Sequence, residues 1–108
     1  MRLETNKRIY LIDETDKYFH DADLYLFGSR VDDNARGGDI DLLLLSDTKI
    51  DSKKIREFKV DFYKRYGWQK IDLVNFTRDS NDTFKAIALS DAVLLRRGGG
   101  EESVKGKG

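Results

Sequence analysis

Cysteine and proline are absent from this chain of 108 residues, and histidine, tryptophan and methionine occur once each. Without cysteine there are no disulfides and no thiolate metal sites, and a reducing cytoplasm is a compatible setting. Without proline, where average usage would supply about five, the helix stops rest on glycine and Asx residues alone. Long apolar runs are also missing. The longest, residues 40–45, contains Asp41 and falls far short of a membrane span. The N-terminus is polar and charged, without the apolar segment of a secretion signal, so a cytoplasmic protein is expected. No strongly basic stripe of the kind that binds duplex nucleic acid is evident.

What is present suits one small domain: 39% of residues are hydrophobic and 37% charged. A chain this short buries about 60–65% of its unfolded surface, enough for one hydrophobic layer on one sheet. Net charge is zero, but residues 1–51 hold twelve acidic and seven basic side chains, whereas residues 52–108 hold eight and thirteen. Solvated helix faces account for such a split. So does an acidic metal site on one segment with a phosphate-facing basic side on the other.

Periodicity predicts the order α-β-β-α-β-α-β. Ile9, Ile12 and Phe19 recur at helical spacing over residues 4–19. Residues 24–27 form a short aromatic-rich run, read as a buried strand, ended by Gly28-Ser29. Ser29 is a fitting N-cap for a helical turn over 30–34. Residues 39–46 make the strongest strand, with Ile40, Leu42 and Leu44 on one face and Leu43 and Leu45 on the other. Asp51 or Ser52 caps a second helix that carries Ile55, Phe58, Phe62 and Tyr66 and is stopped by Gly67. Residues 70–76 read as a third strand. Asp79 or Ser80 begins a third helix with Phe84, Ile87 and Ala88, and residues 93–95 a last strand. The fold class expected is α/β (α+β): a small mixed sheet with helices packed on it. Residues 1–96 form the domain and residues 97–108 a disordered tail.

Three acids interrupt apolar strands. Asp39 and Asp41, two apart, point to the same face about 6.5–7 Å apart along the chain, a spacing that can share divalent cations. An isolated Asp-x-Asp is most often a solvated edge. Here Leu42–Leu45 make the strand interior, and a buried carboxylate is costly unless it is paired or metal-bound. Asp72, between Ile71 and Leu73, joins them if its strand is a neighbour. An all-oxygen donor set without His or Cys selects Mg²⁺ or Mn²⁺ over zinc. Gly28-Ser29 is by itself an ordinary turn. Lying ten residues before Asp39, it gives close backbone approach and amides suited to phosphate.

Gly28-Ser29-Arg30, then Gly38-Asp39-Ile40-Asp41-Leu42, with Asp72 on a later strand, resembles the nucleotidyltransferase superfamily of the DNA polymerase β type. Over about residues 20–95, and at this length, the chain is similar to the minimal nucleotidyltransferases, the antitoxin halves of HEPN–nucleotidyltransferase toxin–antitoxin pairs. The resemblance implies that Gly28, Ser29 and Arg30 bind the nucleotide phosphates and that Asp39 and Asp41 hold two Mg²⁺. Asp72 would bind the catalytic metal and help deprotonate the acceptor. It further implies ATP as donor and a tyrosine of a helical HEPN toxin as acceptor. A non-catalytic antitoxin and the catalytic subunit of a two-chain drug or RNA nucleotidyltransferase are the alternatives. Outside this constellation, His20 is expected at the surface and Arg96 and Arg97 at a strand end in solvent. Trp68 reads equally as an interface anchor or as cover for a sheet edge.

Overall fold

A computed structural model describes residues 5–27 and 40–99. The elements are α1 (Thr5–Tyr18), β1 (Asp23–Leu26), β2 (Ile40–Ser46), α2 (Ser52–Tyr66), β3 (Ile71–Thr77), α3 (Thr83–Ser90) and β4 (Val93–Arg96). The strands form one mixed sheet in the order β3-β2-β1-β4, with β2 parallel to β3 and β1 antiparallel to both of its neighbours. This is the expected small mixed sheet with helices packed on it.

The core lies on one face. Ile40, Leu42 and Leu44 of β2 point into it with Leu24 and Leu26 of β1, Ile71 of β3, and Phe58 and Phe62 of α2. Leu43 is fully buried on the opposite face, as a central strand requires. Asp51 caps α2 by accepting from the Lys53 amide at 3.0 Å. Gly67 closes the helix at φ 84°, its amide donating to the Tyr63 carbonyl at 2.8 Å, a left-handed stop that glycine adopts without a Cβ penalty.

Helix α1 departs from the sequence expectation. Ile9 is 53% exposed, and the buried line is Leu11, Thr15 and Phe19. A threonine is tolerated there because its hydroxyl donates to the Leu11 carbonyl at 2.7 Å, so residue type alone mislocated the stripe. Helix α3 begins at Thr83 rather than at Asp79 or Ser80. Asp79 and Ser80 are consumed by a turn, in which Thr77 donates to Asp79 and the Ser80 amide to the Thr77 carbonyl. Asp82 provides the cap, accepting from Phe84 at 2.8 Å. Of the expected α3 stripe only Ala88 is buried; Phe84 and Ile87 stay largely exposed.

Arg96 is the clearest correction. Expected in solvent, its side chain is 9% exposed and donates to the carbonyls of Ala22 and His20 and to the Asp16 carboxylate at 3.1–3.2 Å. His20 is at the surface as expected, its Nδ1 2.9 Å from Asp16. Gly98 and Gly99, expected in the tail, are buried. Their amides donate to Asp23 and to the His20 carbonyl. A Cβ at either position would meet Asp21 backbone or the His20 ring within 2.3 Å. The turn expected over 30–34 and residues 100–108 lie outside the described residues. Among the described residues no helix is long and apolar enough to cross a membrane.

Asp23, 3% exposed, is held by Arg78, whose guanidinium also binds Asp47 and the Asp21 carbonyl, all at 2.8 Å. Truncating that arginine strands a buried carboxylate. Arg78→Ala is expected to cost about 2–3 kcal/mol, read as a lower urea midpoint at unchanged slope.

A second test concerns pH. The Tyr18 hydroxyl donates to Asp61, and this hydrogen bond, followed by burial, pushes the phenol up to about 12. The folded state favours the neutral phenol. Its contribution is therefore full below the ordinary tyrosine value of about 10 and is lost as pH rises from there through about 12. Spectrophotometric titration should show a phenol ionising near 12 that is absent from Tyr18→Phe.

Candidate functional site

The parallel register decides which acids meet. Ile40 pairs with Ile71, Asp41 with Asp72 and Leu42 with Leu73. The even-numbered residues of β2 face the helical core, so Asp41 points to the other face. The same alternation turns Ile71 and Leu73 inward and Asp72 outward. Paired residues on adjacent strands have their side chains on one face, with strands about 4.8 Å apart. Two of the three sequence-picked carboxylates therefore stand side by side at the entrance of β2 and β3. Leu43, Leu45, Val74 and Phe76 continue that face as its apolar floor.

β1 ends beside Asp41. Leu26 pairs with Leu42, and the Phe27 amide donates to the Asp41 carbonyl at 3.0 Å. Phe27 is the residue immediately before Gly28, so the chain leaves β1 beside Asp41. It re-enters the sheet at Ile40, whose amide donates to the Lys70 carbonyl at 3.0 Å. Gly28, Ser29, Arg30 and Asp39 themselves lie outside the described residues. Phe27 and Phe76 are bridged by the ring of Phe84 at centroid distances of 6.2 and 5.9 Å, which ties the N-terminal turn of α3 to this face.

Asp41 is half-buried and Asp72 exposed. Asp72 has the Lys70 ammonium 3.9 Å away, both side chains about half-exposed, a long and solvent-screened pair. Lys70 precedes Asp72 by two residues and shares its face. The sequence reading missed it, although a cation two residues before a strand acid was a readable signal. Among the described residues no group of three or more His, Cys, Asp or Glu is placed to hold a metal. The pair that is described offers hard carboxylate oxygens only, a donor set that fits Mg²⁺.

A cavity of about 500 Å³ opens elsewhere, between residues 17–22 and residues 46–51, with Lys54 at its edge. Ser46 in its wall is five residues along β2 from Asp41, about 16 Å. It is at the opposite end of the sheet and is not part of this site.

No curated protein matches the chain. Among solved structures, a toxin–antitoxin complex with AMP-PNP aligns at TM-score 0.67 and 19% identity, covering 94% of this chain and 80% of that one. The tri-AMPylated HEPN toxin of Shewanella oneidensis in complex with MNT antitoxin aligns at 0.67 and 16%, covering 94% and 79%. A structure described as a putative nucleotidyltransferase aligns at 0.57 and 23%, covering 83% and 98%. At these identities the likeness establishes the fold. The family model "Polymerase beta, Nucleotidyltransferase" matches residues 10–98, a span that includes both strand acids and Gly28-Ser29. With the mixed sheet and the paired acids at one end of it, the chain belongs to the polymerase β-type nucleotidyltransferase family.

Proposed function

We propose that this protein is the antitoxin of a toxin–antitoxin pair and that it transfers AMP from ATP to a tyrosine hydroxyl of a helical HEPN-type toxin. The observation that carries this reading is the in-register pairing of Asp41 with Asp72 beside the exit of β1. Support for the donor comes from the neighbour solved with AMP-PNP. Support for the acceptor class comes from the neighbour whose HEPN toxin is tri-AMPylated.

Gly28, Ser29 and Arg30 bind the triphosphate, with backbone amides and the serine hydroxyl donating to phosphate oxygens. Asp39, Asp41 and Asp72 would hold two Mg²⁺, whose charge would stabilise the attacking and leaving oxygens. Asp72 accepts the proton of the acceptor hydroxyl. That oxygen bonds to the α-phosphorus, and pyrophosphate leaves with the electrons of the α–β bridge. Lys70 keeps Asp72 compensated before nucleotide arrives.

With the toxin encoded beside it and Mg²⁺-ATP, intact-mass spectrometry is expected to show AMP added to the partner, located on tyrosine by fragmentation. Asp41→Asn should abolish the addition, and so should EDTA. A mutant that still neutralises the toxin without modifying it would replace this reading with inhibition by contact. Labelling of a small molecule or an RNA end instead would remove the antitoxin assignment.

ATP binding gives an independent measure. Ser29→Ala removes a charge-assisted hydrogen bond worth about 1.5–3 kcal/mol, so calorimetry should show ATP affinity lower by roughly tenfold or more. Unchanged affinity would reduce Ser29 to a helix cap.

A further inference from the structure

Helix α2 carries six basic residues and two acidic ones between Ser52 and Tyr66. Phe58 and Phe62 hold its inner side against the core. Arg56, Val60 and Lys64, spaced by four, are exposed on the other side, with Lys59 at their flank. Among the described residues, Arg56, Lys59 and Lys64 have no carboxylate partner within ion-pair distance. Of the two acids, Asp61 is already engaged by Tyr18, and Glu57 is exposed on the same side as Val60 and Lys64, which leaves the face net basic.

The stripe ends in aromatic rings. Gly67 turns the chain, and Trp68 is left 77% exposed, its only ring contact among the described residues being Tyr63 at 4.9 Å and 45°. It covers no sheet edge, which removes one of its two sequence readings. In sequence Lys64 lies four residues before it and Lys70 two residues after, and Lys7 donates to the neighbouring Gln69 at 3.3 Å.

We infer that the outer face of α2 and the turn over 67–70 bind single-stranded nucleic acid, with a base stacked on Trp68 and Tyr63 and the backbone along Lys64, Lys59 and Arg56. An exposed tryptophan, backed by the half-buried Tyr63, at one end of a cationic track is the arrangement that binds single strands without reading sequence. Arg56 and Lys64 are eight residues apart, about 12 Å along the helix, with Lys59 between them in sequence. Composition separates this ligand from an acidic protein. Lysine is depleted in the cores of protein–protein interfaces, and this track is mostly lysine. The inference stands apart from the transfer reaction. It uses none of Asp39, Asp41 or Asp72, and it holds whatever the acceptor is.

The test is fluorescence anisotropy of labelled 12-nucleotide oligo(rU) and oligo(dT) with the full chain, alongside emission of Trp68, the sole tryptophan. Binding of either strand with quenching of Trp68 is expected. With three phosphate contacts, log K should fall against log salt with a slope of about −2. Trp68→Ala should weaken binding by roughly tenfold, Trp68→Phe should restore most of it, and Lys64→Glu should flatten the salt slope. No binding at about 0.1 mM oligonucleotide overturns the proposal. So does affinity indifferent to Trp68→Ala, or equal affinity for a blunt duplex. Poly-glutamate bound as tightly as the oligonucleotides would also overturn it and assign the face to an acidic protein.

Discussion

The site depends on the register between β2 and β3. Seven consecutive pairs run from Ile40–Ile71 to Ser46–Thr77. A slip of one residue would turn Asp72 into the core and Ile71 out of it. Hydrophobic alternation favours the observed register, and Asn75 pins it. Its amide nitrogen donates to the Leu44 carbonyl at 3.1 Å and to the Ser46 hydroxyl at 3.0 Å, while its oxygen accepts from the Ile50 amide at 2.8 Å. One polar side chain at one end of the strand pair thereby fixes β3 to β2 and to the loop entering α2. Two carboxylates are consequently held together at the other end.

How much of this was legible follows from what each signal depends on. β2 was readable because its leucines fill both faces, and α2 because Phe58 and Phe62 recur and Asp51 and Gly67 mark its ends. These are local patterns with local causes. The Leu11–Thr15 line of α1 was hidden because a threonine satisfied by its own helix passes for a polar residue. Arg96 was misread for a related reason. Its partners are carbonyls of residues more than seventy positions away, and carbonyl acceptors leave no trace in the sequence. Asp41 and Asp72 could be named in advance. Their adjacency could not, because strand order is a property of the whole sheet.

Charge asymmetry between the two halves now has a partial physical account. Arg78, from the basic half, binds Asp21 at its carbonyl and Asp23 and Asp47 at their carboxylates. Arg96 reaches Asp16, and Lys70 faces Asp72 within the basic half itself. Some of the surplus therefore ties later segments to earlier ones, and at Asp23 it compensates a buried acid. The rest is displayed on the outer face of α2, where the core makes no demand on it. Neither a pure accident of solvated faces nor a single acidic-against-basic site describes the pattern.

Two acids near the interior show how one residue type is put to opposite uses. Asp23 is 3% exposed. Its oxygens are taken by Arg78 and the Gly98 amide, donors fixed by packing, so it is closed to any ligand. Asp72 is exposed, and its companion is a flexible lysine at 3.9 Å in a half-exposed pair. Solvent screening makes that pair weak. The difference originates in position. Asp23 begins the inner strand β1 under the docked residues 98 and 99, whereas Asp72 enters the edge strand β3 on the face that α1 and α2 leave open. Burial with dedicated donors turns a carboxylate into structure; the same group at the mouth of an edge strand keeps its oxygens available for chemistry.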